Sequence, residues 1–128
     1  MSDRLLLDTD VIIDYLRGHP AAVSYLETLS NGPATASIVV AELYAGVREG
    51  AERHRLEQLL AVTPVYPLSL TSAVQGGLYR RQYLKSHNVG LADALIAATA
   101  SEHNVRLVTL NARHFPMLSD VIVPYIKP

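Results

Sequence analysis

The chain has no cysteine, no tryptophan and a single phenylalanine. Without thiols it can form neither disulfides nor thiolate metal sites. No stretch approaches the roughly 18 consecutive apolar residues of a membrane helix. The start, Met-Ser-Asp-Arg-Leu-Leu-Leu-Asp, is too short and too acidic for a secretory signal, so a cytoplasmic protein is expected. An excess of either charge is missing too: 11 Lys+Arg against 12 Asp+Glu leave a net charge of −1. A strongly basic domain would point to nucleic acid. This balance points neither way, and an RNA partner would need basic side chains concentrated locally. No repeat, low-complexity tract or linker divides the 128 residues, so one domain spanning 1–128 is expected.

What is present suits a packed core: 49% of residues are hydrophobic and 18% charged. Five short apolar runs have the character of strands: residues 5–7, 34–36, 65–66, 106–109 and 121–123. Helical patterns of ten or more residues lie between them. Strands alternating with helices imply βα units around a parallel sheet. Runs 5–7 and 106–109 are almost wholly apolar, as strands covered on both faces are. Thr9 or Asp10 caps a predicted helix that Gly18 stops near Arg17. Ser37 or Thr35 caps another running through Tyr44 towards Gly50. Further helices are expected over about 71–85 and 91–103.

The acidic residues then sort themselves. On a helix a charge normally faces solvent or pairs three or four residues away. Asp14 has Arg17 at i+3, Glu49 has Arg53, Glu52 has Arg48 and Arg55, Glu57 has Arg53, and Glu102 has Arg106. Glu27 lies near Ser24 and Asn31. These six are expected on the surface, and Asp3 and Asp120 lie in terminal or loop segments. Glu42 is different, because Ile38, Val39, Ala45 and Gly46 surround it at helical spacing. Asp93 repeats the pattern among Val89, Gly90, Ile96 and Ala97. Asp8 closes the first apolar strand, where open α/β folds place their sites, and Asp10 follows in the first helical turn. A buried lone carboxylate costs roughly several kcal/mol unless compensated, and a cation is one compensation. Each acid also has an ordinary alternative. Asp8 suits an N-cap, Asp10 and Asp93 suit the helix dipole, and Glu42 would be satisfied by a distant Arg.

Three segments, LLDTDVII (6–13), AELYAG (41–46) and LADALIAA (91–98), resemble the acidic motifs of PIN-domain ribonucleases, and VTLNARHF (108–115) resembles the family's last motif. The subgroup they are most similar to is the VapC-type toxins of prokaryotic toxin–antitoxin pairs. The resemblance covers essentially the whole chain. It implies an α/β/α sandwich with a parallel sheet of four or five strands, Mg²⁺ or Mn²⁺ as cofactor, and hydrolysis of RNA. It further implies an antitoxin partner and a homodimer, for which the 71–85 helix is a candidate interface. By matching motif, Asp8, Glu42 and Asp93 are the metal-binding acids. Asn111 falls where many relatives carry Asp; the resemblance implies a catalytic role, as a ligand through its carbonyl oxygen or in orienting a metal-bound water, but it adds no charge for a second metal. His114 stands where some relatives carry an acid, Thr109 offers a hydroxyl near the site, and Asp10 stands where relatives have Asn or Ser.

Oxygen donors suit Mg²⁺ or Mn²⁺ rather than zinc. The five histidines show no paired ligand spacing and are expected at surfaces or caps. The implied reaction is in-line attack by a metal-activated water, leaving a 5′-phosphate and a 3′-hydroxyl. RNA needs cationic docking points, and Arg80, Arg81 and Lys85 on one helix are the first candidates, ahead of Arg48, Arg53 and Arg55. The competing functions are a metal-dependent phosphoesterase on another substrate and a non-catalytic RNA- or protein-binding domain of the same fold.

Overall fold

The structure, a computed structural model, describes residues 4–127; Asp3 lies outside them. Four strands and six helices follow in the order β1 (Leu5–Leu7), α1 (Thr9–Leu16), α2 (Pro20–Glu27), β2 (Thr35–Ala36), α3 (Ser37–Gly46), α4 (Ala51–Ala61), β3 (Val65–Tyr66), α5 (Leu70–His87), α6 (Leu91–Glu102) and β4 (Arg106–Val108), with a 3-10 turn at Ala112–His114. β1 pairs with β4 and β2 with β3, both in parallel. A parallel bridge from Leu6 to Ala34 joins the two pairs, and another from Val108 to Ile122 extends the far edge. The five runs therefore lie side by side in the order β3, β2, β1, β4 and Ile122. The fifth is a single bridge rather than a strand, because Pro124, two residues on, has no N–H to donate to the next rung.

Successive strand residues point to opposite sheet faces. Leu6 and Leu7 are both fully buried, as are Leu107 and Val108, so helices cover the sheet on both sides. The apolar runs predict strands covered on both faces, and the result is the α/β/α arrangement the family resemblance implies. The core continues through Val11, Ile12, Val39, Leu56, Ile96 and Phe115. α5 and α6 form an antiparallel pair whose close approach depends on Gly76. A Cβ there would come within 2.6 Å of Leu95.

Helix ends depart from expectation at several points. Asp8, not Thr9 or Asp10, caps α1 by accepting the Thr9 N–H. α3 stops at Gly46 because Val47 is extended, and Gly50 takes a positive φ of 93° before α4 begins. No side chain caps α3; the Ser37 hydroxyl instead accepts the Leu68 N–H. Ser69 caps α5, which starts at Leu70 and runs to His87. Among the described residues no helix is long and apolar enough to cross a membrane.

Candidate active site

Strand exits and helix starts bring the singled-out residues together. Asp8 leaves β1 and opens α1, and Thr109 follows β4, the neighbouring strand. Both are buried, Asp8 at 6% exposure. The Thr109 hydroxyl donates to Asp8 Oδ2 at 2.8 Å, with Asp10 Oδ2 at 3.3 Å as the longer option. Asp10 Oδ2 also accepts the Leu110 N–H at 3.0 Å and the Asn111 side-chain amide at 3.1 Å, while Oδ1 accepts the Val11 N–H. Asp10 therefore ties the start of α1 to the loop after β4. The Asn111 N–H closes the network on the Thr109 hydroxyl.

Two more acids enter from α3 and α6. Glu42 lies half-buried on α3 and accepts the Thr9 hydroxyl at 2.7 Å. Asp93 sits in the first turn of α6, 3.4 Å from His114 Nδ1. Sequence reasoning placed the histidines at surfaces or caps and missed this contact. His114 lies on the 3-10 turn, 21 positions along the chain from Asp93, beyond any helical spacing.

The carboxylates sense one another. Burial, then the neighbouring charge of Asp10, pushes the Asp8 carboxyl up to about 7, with Asp93 adding to the rise and the Thr109 and Thr9 hydrogen bonds opposing it. Burial also raises Asp10, against the hydrogen bonds from Leu110, Val11 and Thr109. Asp93 is raised mainly by burial; His114 opposes the rise, and Glu42 and Asp10 reinforce it. A cluster of acids that raise each other's proton affinity lacks a positive charge. All the donors are oxygens, which fits a hard divalent cation in chemistry. Among the described residues no three acidic or imidazole groups converge closely enough to form a finished cation cage. The fit is thus one of donor type and charge.

Elsewhere the acids find partners that helical spacing did not show. Asp14 is buried and takes no bond from Arg17. It accepts the Tyr125 hydroxyl at 2.8 Å and Lys127 Nζ at 3.0 Å. Glu52 is also buried. It binds Arg17 Nε and the Arg48 backbone N–H, whereas Arg55 donates to the Leu16 carbonyl. Glu102 accepts from Ser69 and Ser72, and Arg106 reaches Asp120 instead. Glu49 and Glu57 pair with Arg53 as expected. The surface assignment therefore fails for Asp14 and Glu52, whose side chain-to-side chain bonds reach 35 or more positions away, although Arg48, expected beside Glu52, does bond it through its backbone N–H.

Arg80, Arg81 and Lys85 are exposed, and among the described residues their side chains enter no hydrogen bond or ion pair. They occupy the half of α5 beside the start of α6, since Gly76 faces Leu95 and Ser72 reaches Glu102. Leu70, Val74 and Leu78, at i, i+4 and i+8 on the same helix, are 82%, 56% and 44% exposed.

Residues 5–119 match the family model of the PIN domain. Over 127 residues the chain is 42% identical to Ribonuclease VapC10 of Mycobacterium tuberculosis, covering 97% of this chain and 95% of that protein. It is 41% identical to Ribonuclease VapC19 of the same organism, covering 94% and 98%. Its fold is similar to a chain of a toxin–antitoxin complex from Klebsiella pneumoniae, with TM-score 0.82, 27% identity and coverage of 96% and 99%. It is also similar to a chain of FitAcB from Neisseria gonorrhoeae, with TM-score 0.71, 29% identity and coverage of 94% and 97%.

Proposed function

The chain belongs to the PIN-domain family, and on that footing we propose that it is a metal-dependent endoribonuclease, the toxin of a toxin–antitoxin pair. The observation that carries the catalytic reading is an acid cluster with no Lys or Arg among its partners. Burial and neighbouring carboxylates raise the proton affinity of Asp8 and Asp93, burial raises that of Asp10, and among the described residues the basic group beside them is His114, against Asp93. The toxin reading rests on the names of the relatives, two of them ribonucleases and one a chain of a toxin–antitoxin complex.

Asp8, Glu42 and Asp93 would hold Mg²⁺ or Mn²⁺. When bound, such an ion neutralises charge on a phosphodiester and lowers the pKa of an attacking water. The chain's own residues do the rest. Thr109 fixes the Asp8 carboxylate, and Thr9 fixes Glu42. Asp10 is a positioning residue, because its oxygens are taken up by Val11, Leu110, Thr109 and Asn111. His114 holds Asp93 from the side. Asn111 spends its amide N–H on Asp10 and keeps its carbonyl oxygen for substrate or solvent. Arg80, Arg81 and Lys85 dock the RNA backbone from the neighbouring end of α5. The stripe of Leu70, Val74 and Leu78 supports a homodimer through that helix, as exposed apolar patches mark contact surfaces.

The test is cleavage of total cellular RNA with Mg²⁺, Mn²⁺ or EDTA, by the wild type, Asp93→Asn, and a variant with Arg80, Arg81 and Lys85 all replaced by Ala. Metal-dependent fragments with 5′-phosphate ends are expected from the wild type. Asp93→Asn should lose about 100-fold or more of the rate. The triple variant should bind RNA more weakly with a flatter salt dependence. A 2′,3′-cyclic phosphate product would overturn the mechanism. Full activity in Asp93→Asn would overturn the site, and unchanged binding in the triple variant would return those cations to a solvated face. No cleavage by folded, antitoxin-free protein would favour the binding-domain reading.

A further inference from the structure

A cleft of about 450 Å³ shares two of its lining residues, Asp10 and Asn111, with the acid network. That volume lies within the ~300–1,000 Å³ of small-ligand pockets. The rest of the lining is Leu110 and the C-terminal segment, through Val123, Tyr125, Ile126 and Lys127. The hydrolytic site described above uses the Leu110 N–H to hold Asp10 but takes nothing from the C-terminal segment. Val123 and Ile126 leave apolar surface in solvent, 46% and 90% exposed.

The segment is held in place by a buried acid. Asp14 accepts the Tyr125 hydroxyl at 2.8 Å and the Lys127 ammonium at 3.0 Å, and the Tyr125 ring stacks on His19 with centroids 5.4 Å apart. Lys127 is thereby positioned while about half of its side chain stays exposed, at 47%. An ammonium has three N–H donors, so Asp14 does not exhaust it. At the other side of the lining, Asn111 gives its N–H to Asp10 and has a free amide oxygen. The cleft thus offers apolar surface, one amide acceptor and one fixed cation, next to a carboxylate that repels anions.

We propose that this cleft is the subsite for the nucleotide adjoining the scissile phosphate of an RNA substrate. The base lies against Leu110, Val123 and Ile126 with a base N–H on the Asn111 oxygen, and the flanking phosphate meets Lys127. Asp10 excludes the opposite orientation, because it would set phosphate against carboxylate. The proposal rests on the ribonuclease reading. It goes beyond that reading by giving the C-terminal segment the task of gripping substrate. An antitoxin peptide is the competing occupant. A nucleotide is favoured because the cleft opens from the acid network itself and pairs apolar surface with a fixed cation.

The experiment is a ¹H–¹⁵N chemical-shift titration of the whole chain in Mg²⁺ with adenosine and uridine 5′-monophosphates. It is repeated on Ile126→Ala and Lys127→Ala, beside RNA cleavage by the wild type. Shifts confined to residues 110–111 and 123–127 are expected, with each substitution weakening the mononucleotide by about fivefold or more. Ile126 is so exposed that its truncation leaves the fold intact, so that variant decides the matter if Lys127→Ala loosens the tail. Wild type that cleaves RNA but shows shifts elsewhere, or shifts that neither substitution weakens, overturns the subsite alone. Wild type that fails to cleave overturns the ribonuclease reading and the subsite with it. Substitutions that weaken a bound antitoxin while leaving the nucleotides untouched make the cleft a protein-docking surface and overturn the proposal.

Discussion

Asp8 and Asp14 lie at either end of the same short helix and are equally hidden, at 6% and 8% exposure. Their fates are opposite. Burial pushes the Asp14 carboxyl up, but the bonds from Lys127 and Tyr125 and the Lys127 charge outweigh it and hold the group below its ordinary value. Burial pushes Asp8 up too, and its charged neighbours, Asp10 and Asp93, push it further, to about 7. Burial therefore does not distinguish a structural acid from a functional one. The sign of the company does. Asp14 is a completed ion pair that closes the C-terminal segment onto α1. Asp8 has acids for company, the pattern expected where a ligand completes a site, and in the function proposed above that ligand is the cation.

Isosteric replacement is the sharpest way to break this comparison. Asp14→Asn leaves Lys127 without its counter-charge and should destabilise the fold by about 1–3 kcal/mol. Asp8→Asn removes a charge that the fold tolerates poorly. Its amide can still accept the Thr9 N–H and can donate to the Thr109 hydroxyl. In EDTA at pH 8 its melting temperature should therefore rise by a few degrees, while RNA cleavage is lost. Thermal unfolding of the two variants reads out both signs. If Asp8→Asn melts lower, as Asp14→Asn does, Asp8 is no more than a helix cap and the contrast collapses.

Titration sharpens the same contrast without mutation. The folded chain keeps a proton on Asp8 that the unfolded chain releases near 3.8. Metal-free stability should therefore fall as pH rises from about 4 to about 7, by up to about 1.4 kcal/mol per pH unit. Asp14 and Glu102 work the other way. Their folded pKa values are lowered, so the stability they contribute is present above the ordinary carboxyl range and is lost on acidification below it. Millimolar Mg²⁺ or Mn²⁺ should cancel the Asp8 decline. An ion at 100 times its dissociation constant adds about 2.7 kcal/mol to the native state. Melting curves across pH in EDTA and in Mn²⁺ check this. Identical curves in the two buffers would count against a cation at these acids.

How much of this was legible in the sequence follows from distance along the chain. β1, β2, β3 and β4 were legible because each is an apolar run, and α6 because its acid stands alone in an apolar helix. Asp8, Glu42 and Asp93 stood out by the same reasoning, as acids with no base at helical spacing. The spacing argument failed where partners are remote. Tyr125 and Lys127 lie 111 and 113 positions from Asp14, and Asn111 lies 101 from Asp10. The parallel pairing of β1 with β4, and the Val108–Ile122 bridge beyond it, bring those ends together. Glu52 escaped for a related reason. The break at Val47 and Gly50 turns α4 so that Glu52 meets Arg17 and the Arg48 N–H, a geometry that a continuous helix to Gly50 would not allow.

Asp93 stands between the two extremes, because its one basic neighbour, His114, is charged only when protonated. Burial raises the Asp93 carboxyl, and His114 opposes that rise. Removing the imidazole should therefore raise Asp93 further, so that a higher pH is needed to ionise it. With RNA cleavage measured at limiting Mg²⁺, His114→Ala should move the acidic limb of the pH–rate profile upward and cost about tenfold in rate near neutrality. His114→Gln separates charge from positioning. If the imidazolium charge is what matters, the limb moves in both variants. If the contact only orients Asp93, Gln restores the rate and the limb stays in place. A profile unchanged in both variants would reduce the 3.4 Å approach to a neighbourly contact and leave Asp93 on the same footing as Asp8.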